Sequence, residues 1–253
     1  MNPSLVGSEM CIRDRHLTMA EILEFSRRSL KNDLTPKVSD IRSHFISELN
    51  QKKFTKDRSG SKTIELIGAS FVADEPAIFG IPNQKYIDAE IEWYDSTSTN
   101  IYDIYGPEDK LPPKAWQMSA DHYGNINSNY GKLIFDDLYH NQYEHVVEEL
   151  LDNPDSRRAA MIYNRPSIWK EYRENGKNDF ICTNAVTYYI RNNSIHSVVQ
   201  MRSNDVIYGY RNDYAWQQEV LSRLSQDLSV KIGQIVWQVQ NLHVYERHFK
   251  LVK

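Results

Sequence analysis

One stretch of this chain, Asp179 to Trp216, DFICTNAVTYYIRNNSIHSVVQMRSNDVIYGYRNDYAW, could bring a thiol, a guanidinium and a carboxylate together. Cys182 could act as a nucleophile, Arg202 and Ser203 could hold an anion, and Asp205 and Asp213 supply the acids. A cation near a thiol favours the reactive thiolate. Lowering a thiol pKa from about 8.5 to about 7 raises its thiolate share at neutral pH from a few per cent to about half, roughly 2 kcal/mol. Arg202 is the expected source of that lowering. The plainer reading of one cysteine is an inert buried residue.

Two strands must bring these groups together. Apolar and β-branched residues alternate on either side of Asn192-Asn193-Ser194, residues that tolerate the backbone angles of a tight turn. Cys182 is expected early on the first strand, Arg202, Ser203 and Asp205 just after the second, and Asp213 where a helix begins.

The chain has 253 residues, enough for one large domain or at most two, and a single domain is the expectation. A net charge of −4 argues against a general nucleic-acid or membrane-surface protein. No apolar run approaches the roughly twenty residues that span a bilayer, and no signal peptide stands out, so a soluble, cytoplasmic protein is expected. Two cysteines build no disulfide framework, and no Cys/His spacing suggests a metal. Sixteen tyrosines and five tryptophans read first as packing.

Residues 1–15, MNPSLVGSEMCIRDR, share no periodicity with the rest of the chain and look like adapter or vector sequence, which sets Cys11 aside as non-native. Residues 16–37 read as an N-terminal extension, with an amphipathic helix from Thr18 to Leu30; a second helix runs from Val38 to Leu49. Residues 56–63 are a polar loop carrying Arg58. Thr63 to Ala73 reads as a buried strand, in which Gly68 suggests a bulge or a close backbone approach. Asn83 can cap a helix carrying Glu90, by itself a solvated position. Residues 97–129 read as a long irregular segment holding Trp116, and Tyr130 comes directly after it. A helix from Gln142 to Leu151 stops at Asn153-Pro154, and Asp155 to Arg158 form a charged loop before the strand AAMIYN. Beyond Asp213, YAWQQEVLSRLSQDL has an apolar stripe through Trp216, Val220 and Leu224. The last strand, Gly233 to Tyr245, leads into a helix-like ERHFKLVK. With few parallel crossovers and strands clustered late, the pattern is α+β, helices covering a mixed, mainly antiparallel sheet.

In chain order stand EIEWY around Glu90, NSNYG around Tyr130, NPDSRR at Arg157 and Arg158, Cys182, MRSND from Arg202 to Asp205, YRNDYAW around Asp213, and LHVY at His243 and Tyr245. From about Val38 to Lys253 this ordered set resembles the thymidylate synthase family, and within it the phage branch that hydroxymethylates deoxycytidylate. The resemblance implies a catalytic domain over 38–253 and an obligate homodimer joined through a sheet face. It further implies transfer of a one-carbon unit from 5,10-methylenetetrahydrofolate to carbon 5 of dCMP with capture by water. The products would be 5-hydroxymethyl-dCMP and tetrahydrofolate. Cys182 resembles the nucleophile that adds to carbon 6, and Glu90 and Tyr130 the network that moves protons at the ring. Arg202 and Ser203 resemble phosphate binders, with Arg157 and Arg158 reaching in from the second subunit and Arg58 contributing from a mobile loop. His243 and Tyr245 resemble the pair on the deoxyribose hydroxyl, Trp116 and Asp205 the folate contacts. Taken alone, the arginine pair is an exposed loop, His243 a satisfied strand residue, Trp116 core and Asp205 a turn residue.

Asp213 bears on the substrate. Thymidylate synthases carry asparagine here, which suits a uracil edge; a carboxylate suits the exocyclic amine of cytosine, and when protonated it can donate to ring nitrogen 3. An ionised Asp facing uracil would set acceptor against acceptor, at about 1 to 3 kcal/mol or more. The rival is a simple helix cap. Ile181 and Thr183 stand where the family has proline and histidine, and Ser119 where it has a second tryptophan; these departures agree with water capture. The alternatives are a methylating relative acting on dCMP or dUMP, and an inactive nucleotide-binding fragment, since the family closes its site with a C-terminal segment for which this chain leaves no room. No metal, membrane or nucleic acid is expected as a partner.

Overall fold

The hairpin at the centre of the chain consists of β4 (Thr183–Arg191) and β5 (Ser194–Met201). Asn192 and Asn193 form its turn with φ of +50° and +57°, and Arg191 pairs with Ser194. Two consecutive left-handed residues give the turn whose twist matches that of the flanking strands, and asparagine adopts that conformation at little cost.

A computed structural model describes residues 35–57, 60–108 and 110–253. The leader, the helix expected over Thr18 to Leu30, Cys11 and Arg58 lie outside the described residues. Pro36–Lys253 forms one compact unit. Its sheet adds β1 (Thr55–Lys56), β2 (Lys62–Val72), β3 (Ala160–Ile162), β6 (Asn204–Asp205) and β7 (Lys231–Tyr245), in the order β1-β2-β7-β5-β4-β3 with β6 on β7. β7 runs parallel to β5 and β6, and the other pairs are antiparallel. The sheet is therefore mixed and mostly antiparallel, within an α+β fold.

The helices are α1 (Val38–Asn50), α2 (Gln84–Asp95), α3 (Lys114–Ser119), α4 (Tyr130–Phe135), α5 (Gln142–Asp152), α6 (Ile168–Glu171) and α7 (Gly209–Asp227). α7 makes the crossover from β5 and β6 to β7. Its stripe of Trp216, Val220 and Leu224 is buried, as are Ile235, Trp237 and Val239 of β7 and Val199 of β5. Alternate residues on the opposite sheet face, among them Thr187, Tyr189, Val198, Val236 and Gln238, are only partly covered, and Gln200 and Gln240 are exposed.

Four local expectations change. Gly68 makes no bulge: Ile67↔Asn241 and Ala69↔Val239 keep one register across it, and a Cβ there would meet nothing within 4 Å. Its φ of +71° is what favours glycine. The stretch 97–129 is not wholly irregular, since it holds a 3-10 turn, Ile101–Asp103, and α3. The C-terminal Glu246–Leu251 is 3-10 rather than α-helical. α7 starts at Gly209, so Asp213 lies a full turn inside the helix and does not cap it.

Candidate active site

Cys182 stands immediately before β4 instead of on it, and Arg202 immediately after β5, so the hairpin register sets them side by side. Arg202 N donates to Cys182 O at 2.9 Å. The Arg202 guanidinium folds back over the same segment: Nε donates to Ile181 O at 3.0 Å, and Nη2 to Phe180 O at 2.5 Å and to Cys182 Sγ at 3.5 Å. Only Nη1 has no hydrogen-bond acceptor among the described residues, so this arginine offers an anion one free nitrogen and not a two-pronged fork. Arg202 does not achieve the expected lowering of the thiol pKa. Burial pushes Cys182 up to about 11, because removing water from a thiolate outweighs the nearby guanidinium, and Asp213 and Asp179 add repulsion.

Asp179, unremarked in the sequence, ties the NSNYG segment to this end of the hairpin. Its buried carboxylate accepts from Asn127 N at 2.6 Å, Ser128 N at 2.8 Å and Ser128 Oγ at 2.7 Å. Asn129 continues the tie, its Nδ2 donating to Trp93 O at 3.1 Å and Ser98 O at 2.7 Å. Gly131 permits the approach of α4 to α2, since a Cβ there would sit 1.9 Å from Tyr94 O. Tyr130 is thereby buried against Tyr94 and Tyr163, with ring centroids 5.5 and 5.2 Å apart. Its phenol is raised well above the ordinary range by burial, then by the charges of Asp213 and Cys182.

On α2, Glu90 is 5 % exposed, which overturns the solvated position read from the sequence alone. Its Oε1 accepts from Tyr86 Oη in a short bond and from Trp116 Nε1 at 3.3 Å, while Trp116 Nε1 also donates to Tyr86 Oη at 2.8 Å. Burial raises Glu90 to about 7 against the lowering effect of both donors. Sequence reasoning missed Tyr86, although a tyrosine one helical turn before a glutamate is a readable pair.

Asp213 projects from α7 and is half-buried. Its Oδ2 accepts from Asn204 Nδ2 at 2.7 Å, and Asn204 Oδ1 accepts from Trp237 Nε1 at 3.3 Å. Burial pushes Asp213 up to about 8; Glu90 and Asp205 push the same way and the Asn204 bond opposes them. Protonation is thereby favoured near neutral pH. Asp205 does the turn work instead, accepting from Ile207 N at 3.0 Å and Tyr208 N at 3.2 Å just before α7 begins.

His243 and Tyr245 lie two residues apart on β7 and meet edge to face at 4.8 Å. Burial lowers the His243 pKa. His243 pairs with Asp205 across β6 and β7, and Ser203 stands between Arg202 and that pair. Cys182, Tyr130, Glu90, Asp213, Arg202 and the β6–β7 residues thus form one neighbourhood, with Trp116 joining through Glu90. Arg157 and Arg158 are not in it. They are exposed and precede Ala159, whose carbonyl accepts from Tyr188 N at 2.8 Å, six residues along β4 from Cys182. That is about 20 Å of extended strand. Arg158 Nε pairs locally with Glu149 at 2.9 Å. Among the described residues no group of three or more His, Cys, Asp or Glu is placed to hold a metal ion, and no helix is long and apolar enough to cross a membrane.

The thymidylate synthase family model matches residues 44–253. The deoxycytidylate 5-hydroxymethyltransferase of Enterobacteria phage T4 is 51 % identical over 222 residues, covering 85 % of this chain and 89 % of the relative; that of Enterobacteria phage T2 matches equally. A thymidylate synthase of Buchnera aphidicola is 27 % identical over 214 residues, covering 81 % of this chain and 76 % of that protein.

Proposed function

The chain belongs to the thymidylate synthase family, and from that premise we propose that it hydroxymethylates carbon 5 of dCMP. Methylenetetrahydrofolate supplies the one-carbon unit. The residues present fit such a group: Trp116 leaves part of its indole uncovered beside Glu90, a flat apolar surface against which a bicyclic ring can pack. The observation that carries the choice of nucleotide is Asp213. A carboxyl group pushed up to about 8 and held by Asn204 is mostly neutral at pH 7 and can donate to N3 of cytosine while accepting from its exocyclic amine.

Cys182 Sγ forms a bond to carbon 6, which moves electron density to carbon 5; carbon 5 would then bond to the methylene carbon, and the folate nitrogen that carried it would leave with the electrons of the broken C–N bond, taking up a proton as tetrahydrofolate. Sγ reaches this state from a thiol near 11, so ionisation must be assisted. A neutral Asp213 removes one repulsion, and arginines arriving from a second subunit add attraction. Tyr130 and Glu90 stand where the carbon 5 proton leaves and where a water is drawn onto the exocyclic carbon; a carboxyl near 7 can both give and take a proton at neutral pH. Departure of Sγ restores the ring. Arg202 and Ser203 bind the phosphate, His243 and Tyr245 the deoxyribose hydroxyl, and Trp116 and Asp205 flank the folate.

The homodimer belongs to the same reading. Two features support it: the partly covered sheet face, and the distance of Arg157 and Arg158 from their own Cys182, which suits donation to a partner's phosphate site. Arg58 joins them in the reading. The setting we propose is a cytoplasmic nucleotide pool.

The test measures tritium release from carbon 5 of labelled dCMP and labelled dUMP with methylenetetrahydrofolate, monitoring dihydrofolate by absorbance. Release from dCMP without dihydrofolate is the expected result. Release accompanied by dihydrofolate would make the protein a methyltransferase, and no release from either nucleotide would reject turnover.

A further inference from the structure

We propose that Asn204 sets the hydrogen-bond polarity of Asp213, and with it the choice between a cytosine and a uracil edge. The proposal rests on the reading of dCMP as substrate. Trp237 is fully buried, and its indole N–H can only donate. It reaches Asn204 Oδ1 at 3.3 Å, which fixes the amide orientation: the oxygen faces the indole and Nδ2 faces α7, donating to Asp213 Oδ2 at 2.7 Å. Asn204 is itself 4 % exposed and held in β6. Gly209 leaves the space for this contact, since a Cβ there would lie 3.1 Å from Asn204 Nδ2 and 3.8 Å from Asp213 Oδ2.

The consequence lies on the other oxygen. Oδ2 is committed as an acceptor, so a protonated Asp213 carries its hydrogen on Oδ1, which has no hydrogen-bond partner among the described residues. The acid then presents one donor and the remaining lone pair of Oδ2. Cytosine offers N3 as acceptor beside an amine donor, the complementary pattern; uracil offers N3–H beside O4, a mismatch at both positions. Among the described residues, the titratable groups around Asp213 are Glu90 and Tyr94 of α2, Tyr130 of α4, Tyr163 after β3, Cys182 before β4 and Asp205 of β6. None is a cation. The Asn204 bond is therefore the influence that favours the ionised form of Asp213, and Asn204 is a positioning residue acting through it.

The experiment measures binding of dCMP and dUMP by calorimetry across pH 6 to 10 for the full chain and its variants. Asn204→Asp keeps the shape and the acceptor for Trp237 but replaces the N–H with an oxygen, drawing the Asp213 proton onto Oδ2 and leaving Oδ1 an acceptor. The dCMP-to-dUMP affinity ratio should fall about tenfold or more. Asn204→Ala should move the loss of dCMP binding to higher pH, because it removes a bond that favours the carboxylate; a purely structural loosening would weaken both nucleotides and leave that pH unmoved. Trp237→Phe, which frees the amide to rotate, should lower the ratio about threefold, and it decides the matter if the Asn204 variants do not fold. Variants that keep both the wild-type ratio and the wild-type pH dependence overturn the proposal alone. A wild type with no preference for dCMP overturns the substrate reading, and this inference with it.

Discussion

The two ends of the β4 neighbourhood hold acidic and basic side chains in opposite surroundings. Near Cys182, Glu90 and Asp213 are desolvated with no cation paired to either among the described residues, and burial raises them to about 7 and about 8. About 20 Å along the strand, Arg157 and Arg158 are exposed. Isolated buried acids cost stability, whereas exposed arginines contribute little to it. On the function proposed above, the difference assigns proton movement to an acid wall held within one chain and gives the exposed arginine loop to a partner's site.

The hardest test of the acid wall removes what it serves. Cys182→Ser should lower tritium release from dCMP by about four orders of magnitude or more while leaving circular dichroism unchanged. Survival of more than about a hundredth of the activity would mean that the wall serves some other nucleophile. Asp213→Asn comes next, with two readouts. In competition between the nucleotides, preference should move from dCMP toward dUMP by a factor of about one hundred or more. The fold should also gain stability. The native pKa of this acid lies above its unfolded value, so between pH 4 and 8 the unfolded chain gives up a proton that the folded chain keeps, and stability falls as pH rises. Removing the acid should therefore stabilise the protein at pH 7, by up to about 4 kcal/mol, and by little at pH 4. Equal melting temperatures for variant and wild type at pH 7 would show that Asp213 is not desolvated.

The arginine end is tested by complementation. Arg158→Ala should leave the melting temperature nearly unchanged, because among the described residues this exposed side chain makes one ion pair, with Glu149, yet lower kcat/KM for dCMP about tenfold or more. Mixing it with Cys182→Ser should then restore about a quarter of the wild-type rate, since half of the dimers would hold one intact site built from both chains. A mixture no more active than Arg158→Ala alone would argue that each site is built from one chain.

What could be read from the sequence divides along the same physical line. The hairpin was legible because two consecutive left-handed residues call for Asn or Gly, a purely local demand. The family resemblance placed Cys182, Tyr130 and Asp213 in one site, and the fold sets them in one neighbourhood. Effects that depend on distant packing were not legible. Glu90 reads as solvated because its cover, Trp116, lies 26 positions away. Asp213 reads as a cap because the true turn acceptor, Asp205, sits in a strand of two residues that leaves no periodic trace. The thiol pKa moves opposite to the expectation for a similar reason: Arg202 is visible in the sequence, but the desolvation that outweighs it is not.

Tyr86→Phe should give the smallest effect and sharpen the comparison most, because it alters the acid wall without removing an acid. The ring packing is kept and only the phenolic donor to Glu90 is lost. That donor favours the carboxylate, so without it Glu90 should rise above its value of about 7. Trp116 Nε1 still donates to the same oxygen, which limits the rise to about half a pH unit to one unit. Any step that needs Glu90 ionised would then begin at higher pH, and the acid limb of kcat for dCMP should move upward by that amount while KM changes less than about threefold. A limb that stays in place, or moves down, would mean that Glu90 is governed by burial alone and that the Tyr86 bond is packing without electrostatic consequence.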